Sequence, residues 1–490
     1  MPKARSFLVP LSLFFLSFFI RLGFISKGPF HCDCLELALN AQKTLSTLKI
    51  HYLHIPGSPL TVVLAALNIG IFRLFSVNDP VWVVNFMAVY FSSLCVLVIF
   101  LATRELLNET TAVLAALFLM ILPPFLSVSV YGKDTSPALF FALLSIYLLL
   151  KYLNTQKISS LILSGLSAGL CGAVRMADSL IVVPIFLLLL IKTFPGKSKR
   201  NYNLKSYGMF IASLLLPLLI FYVPFVKEVG IDKIIWSMNS LDNAKFLGFF
   251  SELLPKSADY IFASLTFWGV VFSLFGFYIL FLKDKKAALF LAVWFLVLFF
   301  YYGNISVLAP RYLVIAFVPL VITSSYFFSE LSQVSKLVKV LTLALFFVTL
   351  LWLFKDIYPV VEFRHKNILQ PDFAQWVASK TEQNAIIMAV DEGIFINYYG
   401  KRTTLYPPIS CRDKIFKDFG KNYMDGYLNN GIPVYMISSG LAYDFCGRLR
   451  NFLLQNYRLE FLGCHINEDW HHSCLRLDLL EECLFRISAK

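Results

Sequence analysis

Runs of about 20 residues with almost no charge recur along most of this chain, and about 20 apolar residues is what an α-helix needs to cross ~30 Å of hydrocarbon. No other feature restricts the fold as strongly. Of the 490 residues, 58% are hydrophobic and only 15% are charged. A soluble globular chain has far more charge for its surface, so that class is excluded. The sequence predicts a mostly α protein, a polytopic bundle of transmembrane helices.

Spans are expected near 6–26, 81–102, 110–130, 136–152, 158–174, 178–193, 206–226, 259–282, 287–303, 310–329 and 340–357. The first follows Lys3 and Arg5 and has no small-residue cleavage site after it, so it is expected to be retained. The segment 58–76, "SPLTVVLAALNIGIFRLFS", is also apolar. If it lies flat on the outer side, with the N-terminus cytoplasmic, the cytoplasmic connections hold fifteen Lys and Arg against Glu105, Glu109, Asp284 and Glu330. If it crossed, Arg104, Lys151 and Lys157 would fall outside. The positive-inside rule therefore favours eleven spans. Most of the net charge of +13 is then a topology signal and a contact for anionic membrane lipids, not a nucleic-acid footprint. "FPGKSKR" is no phosphate-binding loop, because Ile191 stands where that motif needs Gly.

The same topology collects the remaining charges at the outer face. They are Asp33 and Glu36, then Lys133 and Asp134 in "YGKDTS", Arg175 and Asp178 in "VRMADS", and Arg311 in "NISVLAPRYL". Ionisable groups near membrane depth are costly and mark function by default; the competing reading of each is a solvated loop charge. The first external loop, 27–80, is patterned. In "DCLELALNAQKTL", Leu35, Leu37, Ala38, Ala41, Leu45 and Leu48 recur at helical spacing, as in an interfacial amphipathic helix. Asp33 and Glu36 lie three apart at its start, which also suits a simple acid pair at a helix N-terminus. "HYLHIPGSPL", holding His51 and His54, follows.

An acid pair after the first span, followed by H-x-P-G-x-P-L, resembles the GT-C superfamily of integral-membrane glycosyltransferases. The branch it looks most like holds protein O-mannosyltransferases and aminoarabinose transferase-like enzymes. The matching residues are Asp33, Glu36, His54, Pro56, Gly57, Pro59 and Leu60. "SVSVYGKDTSPALFFALLSIYLLLK", "GLSAGLCGAVRMADSLIVVPIFLLLL" and "APRYLVIAFVPLVI" resemble the second external loop, a Gly-punctuated hairpin and a late span start. The likeness covers roughly residues 1–360. Many members have adjacent acids, whereas here Cys34 follows Asp33 and the second acid is Glu36, which leaves open how the two carboxylates divide the work.

The resemblance implies transfer of a sugar from a polyprenyl- or dolichyl-phosphate carrier to a protein, lipid or glycan acceptor on the non-cytoplasmic side, with inversion at the anomeric carbon. It makes Asp33 the base that takes the acceptor proton, with Glu36 orienting the acceptor or holding Asp33 ionised. The departing phosphate needs cations set in advance, and Arg is the best fork. Arg311 is the first candidate, Arg175 and Lys133 the next; His54 and Asp134 complete the candidate site. A divalent metal on the His51, His54 and carboxylate side chains is chemically possible, but this branch is not generally metal-dependent, and no metal ligand or cofactor is assigned. The rival class is a transporter or lipid flippase. It would show internal repeats and charges near the midplane, whereas these charges lie at span ends. A polymerase or ligase of lipid-linked glycans would share the donor.

After Lys355 the chain turns polar. Residues 361–490 are expected to form a small α/β domain, external by parity in a multi-pass plasma-membrane protein. "PDFAQWVASKT", "DEGIFINYYG" and "RLRNFLLQNY" read as helices, "NAIIMAV" and "GIPVYMISSG" as strands. It has no phosphate loop and no nucleophile motif, so acceptor recognition or a packing role suits it. Five of nine Cys lie here, an odd number that leaves at least one unpaired or none bridged. "WHHSC" reads as a surface cluster, and Cys32 and Cys34 as semi-apolar packing residues.

Overall fold

In a computed structural model of the chain, the described residues are 2–53, 57–193, 200–232, 234, 254–303, 309–408, 413–441, 444, 446–468, 475, 477 and 479–490. His54 and Pro56 of the first-loop motif, and His471, His472 and Cys474, lie outside them. The chain divides into two compact units. The first is chiefly Met1–Ile25 and Leu37–His365; the second joins Ser26–Glu36 to Lys366–Ser473 and Leu477–Lys490.

The first unit is helical: α1 Pro2–Gly23, α2 Cys32–Thr47 (whose first turns group with the second unit), α3 Pro59–Arg73, α4 Pro80–Leu106, α5 Glu109–Ile121, α6 Pro123–Val128, α7 Thr135–Thr155, α8 Ile158–Val174, α9 Val182–Thr193, α10 Arg200–Val229, α11 Leu254–Lys283, α12 Lys285–Gly303, α13 Val314–Leu331 and α14 Lys336–Lys366. Short 3-10 turns, Met176–Ile181 and Pro310–Leu313, precede α9 and α13. Seven described helices are long and apolar enough to cross a membrane: Pro80–Leu106, Thr135–Thr155, Lys205–Val229, Pro255–Lys283, Lys285–Gly303, Pro310–Leu331 and Lys336–Lys366. The chain is an integral membrane protein. The other four expected spans coincide with shorter apolar helices, Leu8–Gly23, Glu109–Ile121, Ile158–Val174 and Met176–Ile191. At ~1.5 Å per residue α5, α8 and α9 do not reach ~30 Å, whereas the 22 residues of α1 do. The expected span 110–130 is broken at Leu122, because Pro123 and Pro124 lack amide donors and exclude the preceding residue from helical backbone. The outward faces of α10, α11 and α14 carry Leu219, Ile220, Trp268, Leu274, Leu351 and Trp352, each more than half exposed. Hydrocarbon as solvent asks for that.

Glycine decides how closely α8 packs. A Cβ on Gly165 would stand 2.6 Å from Phe210 O, and one on Gly169 2.3 Å from Leu214 O, both on α10. Small residues let backbones approach where lipid gives helices no hydrophobic drive to associate. Gly169→Leu is therefore expected to separate α8 from α10 and yield aggregated protein, read by size-exclusion chromatography in mild detergent.

The second unit contains α15 Leu369–Lys380, β1 Ile386–Met388, α16 Gly393–Tyr398, β2 Thr403–Leu405, α17 Asp413–Phe419, α18 Asp425–Asn429, β3 Val434–Ile437, α19 Arg448–Asn456, β4 Tyr457–Glu468 and β5 Leu479–Ala489. The sheet order is β2-β1-β3-β5-β4. β1 pairs in parallel with β2 and β3, and β5 runs antiparallel between β3 and β4. Met388, Val434, Met436, Leu449, Leu453 and Ile487 form its core. The α/β reading holds, but β2, β4 and β5 extend it. Leu459 and Phe461 alternating with Arg458 and Glu460 is the strand pattern that marks β4. Cys464 and Cys483, register partners across β4 and β5, are disulfide-bonded, while Cys32 is half-buried and Cys34 buried.

Near the ends of β1 and β3 lie two buried acids, Glu392 and Glu482, each 4% exposed. Glu482 accepts hydrogen bonds from Ser438 Oγ at 2.8 Å and Ser439 N at 3.0 Å. Burial, and then the neighbouring Glu482, push Glu392 up from 4.5 to about 8. In the unfolded chain Glu392 ionises near its ordinary value; in the folded unit it keeps its proton until about pH 8. Stability is therefore fully present below the ordinary value and declines as pH rises towards 8, by roughly 5 kcal/mol at most. Thermal unfolding followed from pH 5 to 8.5 should show a falling transition temperature, and Glu392→Gln should flatten the slope.

Candidate active site

In the first unit, three of the predicted external loops converge. The 3-10 turn Met176–Ile181 packs on α7, α9 and α12, and the turn Pro310–Leu313 packs on α6, α12 and α13. This brings Arg175, which ends α8, to Tyr302 at the end of α12 and to Tyr312. The Arg175 Cζ lies 5.2 Å from the Tyr302 ring centroid and 4.8 Å from that of Tyr312. The two rings are stacked, 6.0 Å apart and 6° from parallel. Arg311 Cζ stands 5.1 Å from the Tyr312 ring. Tyr302 Oη donates a hydrogen bond to Asp178 Oδ1, and Asp178 Oδ2 faces Arg175 Nη1 at 3.7 Å. Two guanidiniums thus share one aromatic platform, and a buried carboxylate fixes one of them.

Arg175 is 9% exposed, yet its guanidinium donates no hydrogen bond among the described residues. Its fixed contacts are two ring faces and one ion pair too long for a hydrogen bond. A nearly buried fork with uncommitted N–H donors has the geometry to pair with a planar or tetrahedral oxyanion. Arg311 and Lys133 are likewise buried, at 4% and 5%, and both have further partners.

The first-loop motif ends at the same place. Gly57 has φ +100°, and a Cβ on it would sit 2.7 Å from Phe225 Cε2, so only glycine fits. Beyond it, Ser58 Oγ is 3.5 Å from Asp134 Oδ2, and Thr61 Oγ1 donates to Val174 O at 3.2 Å, beside Arg175. His51 instead contacts Thr47 Oγ1 through Nε2 at 2.9 Å.

In the second unit, Asp33 and Glu36 stand one turn apart on α2, both half-buried. Asp33 Oδ2 is 3.4 Å from His31 Nδ1. The Asp33 amide donates to that same Nδ1 at 3.1 Å, and the Cys32 thiol donates to Asp33 Oδ1 at 3.5 Å. His31, Cys32 and Asp33 are the described residues that bring metal-ligand atoms together, all within 4.8 Å. Cys32 is also an electrostatic neighbour of Tyr406, which desolvation and then Asp391 raise to about 12.

Sequence reasoning picked Arg175, Arg311, Lys133 and Asp134, but missed Tyr302, Tyr312 as a platform, His31, and two buried arginines. Arg21 donates to Ser17 Oγ at 2.6 Å and Met120 O at 3.1 Å; Arg364 donates to Ser127 Oγ at 2.8 Å. An arginine inside an apolar helix was the available signal for Arg21.

A family model for dolichyl-phosphate-mannose-protein mannosyltransferase matches residues 59–222, about a third of the chain. No curated protein sequence matches. Among solved structures, the archaeal oligosaccharyltransferase AglB from Archaeoglobus fulgidus, with an inhibitory peptide and a dolichol-phosphate, superposes at TM-score 0.62 and 13% identity over 97% of this chain and 74% of its own. ArnT from Cupriavidus metallidurans, bound to undecaprenyl phosphate, gives 0.54 and 12% over 98% and 97%. The arabinofuranosyltransferase AftD from Mycobacteria gives 0.52 and 13% over 98% and 40%. At these identities the likeness is one of fold.

Proposed function

We propose that this chain, a member of the GT-C superfamily of integral-membrane glycosyltransferases, moves a hexosyl or pentosyl group from a polyprenyl-phosphate carrier to an acceptor hydroxyl outside the cytoplasm. The observation that carries this reading is Arg175, a guanidinium nine-tenths buried on a tyrosine platform in an apolar helical unit, with its N–H donors unspent. A lipid phosphate is the anion that such a place admits, because its tail partitions into the same hydrocarbon. The relatives solved with dolichol-phosphate and undecaprenyl phosphate support the same carrier class.

In the reaction, the acceptor oxygen bonds to the anomeric carbon as the bond from that carbon to the phosphate oxygen breaks. The electron pair leaves on the phosphate, where Arg175, then Arg311 and Lys133, stabilise the growing charge. Asp33 takes the acceptor proton, and Glu36 orients the acceptor. Direct displacement inverts the anomeric centre. The Cys464–Cys483 disulfide supports an external, oxidising location for residues 361–490, in a protein of the plasma membrane.

The test is a transfer assay with purified protein in lipid, radiolabelled polyprenyl-phosphate sugars and a mixed protein, lipid and glycan acceptor fraction. Label moving to an acceptor is the expected result. Flux of an intact donor across proteoliposomes, without transfer, would replace this reading by a flippase.

A further inference from the structure

One acid of the membrane unit, Asp134, is unused by the scheme above. Asp134 immediately precedes α7, where a short acid commonly caps the helix by accepting an amide N–H. Here its backbone is already helical, φ −68° and ψ −20°, and its side chain makes no capping bond. Its Oδ1 is buried without a hydrogen-bond partner among the described residues. Among the described residues its Oδ2 has only the 3.5 Å contact from Ser58 Oγ, long for an O–H donor. Asp134 is also an electrostatic neighbour of Arg175 and Asp178, and of Tyr222, whose hydroxyl is spent on Gly172 O at 3.0 Å. A buried carboxylate oxygen left without a donor destabilises the fold, so its place is explained by donors that arrive with a ligand.

We propose that Asp134 reads the donor sugar and restricts it to neutral and amino sugars. This deepens the transferase reading and rests on it. With the donor phosphate on Arg175, ring hydroxyls or an ammonium of the attached glycosyl group donate to Asp134. A uronic acid would instead bring a second carboxylate against it in a poorly hydrated place, and like charges there are strongly disfavoured. Arg175 holds the group that all such donors share; Asp134 distinguishes among their sugars.

The experiment is competition binding in lipid nanodiscs, with labelled undecaprenyl phosphate displaced by undecaprenyl-phosphate mannose, aminoarabinose or galacturonate. The wild-type chain should bind the uronate donor at least about tenfold more weakly than the mannose donor. Asp134→Asn, and Asp134→Ser as a second variant should the first fail to fold, should reduce that ratio to about threefold or less. Equal binding of mannose and uronate donors by the wild type, or an unchanged ratio in the variants, overturns the inference. The transferase reading survives that outcome if lipid-phosphate binding is lost in Arg175→Lys. If no lipid phosphate binds at all, both fall together.

Discussion

Asp33→Asn is expected to lower transfer by about 10²- to 10⁴-fold, the range over which a positioned general base contributes, while donor binding is kept. The substitution is close to isosteric and isolates basicity. The backbone bond from the Asp33 amide to His31 Nδ1 does not involve the side chain. An asparagine Oδ1 can still accept from the Cys32 thiol, as Asp33 Oδ1 does at 3.5 Å. What asparagine cannot do is take a proton from a hydroxyl as it attacks. Single-turnover transfer, measured beside equilibrium binding of labelled donor, separates the two effects. Equal transfer by both proteins would remove Asp33 from the mechanism and leave Glu36 as the next base to test.

Arg175→Lys should lose about 10²- to 10³-fold in transfer, the effect of removing one preorganised donor from a developing oxyanion, although the charge is conserved. An ammonium lacks the planar fork and does not stack on rings as a guanidinium does. The Arg175 guanidinium is held by such ring contacts with Tyr302 and Tyr312, at 5.2 and 4.8 Å. Lysine also spares Asp178, which a neutral residue would leave as an uncompensated buried acid. Weaker donor binding should accompany the loss. Near wild-type activity in Arg175→Lys would mean that the site needs only a positive charge, and the platform would then be a packing feature.

Both effects depend on residues that the amino-acid sequence marks to different degrees. The helical membrane architecture is legible there because an apolar run of span length has one stable outcome in hydrocarbon, and α4, α7, α11, α12, α13 and α14 lie where periodicity and charge place them. Breaks are harder to read. Pro123 and Pro124 are plain in the sequence, but the run around them stays apolar, so a hydropathy window passes over the end of α5. In the second unit, β1, β3, α15, α16 and α19 lie where their patterns place them, while α17 and α18 were not foreseen and β2 has only three residues and takes its strand identity from pairing with β1.

The sequence alone determined which chemistry was available. Paired charges at span ends, from loops far apart in the chain, could be gathered on one face by counting spans and cations. Only the tertiary structure decided which of them meet. Tyr302 and Asp178 are 124 residues apart and share a hydrogen bond; neither carries a local mark of that partnership. Asp134 is one outer-face charge among several until its helical backbone and its uncapped side chain are seen. The difference has one physical cause. Hydropathy and charge act on each segment by itself, whereas a guanidinium against two rings and a carboxylate is a property of helix packing, and no stretch of sequence contains it.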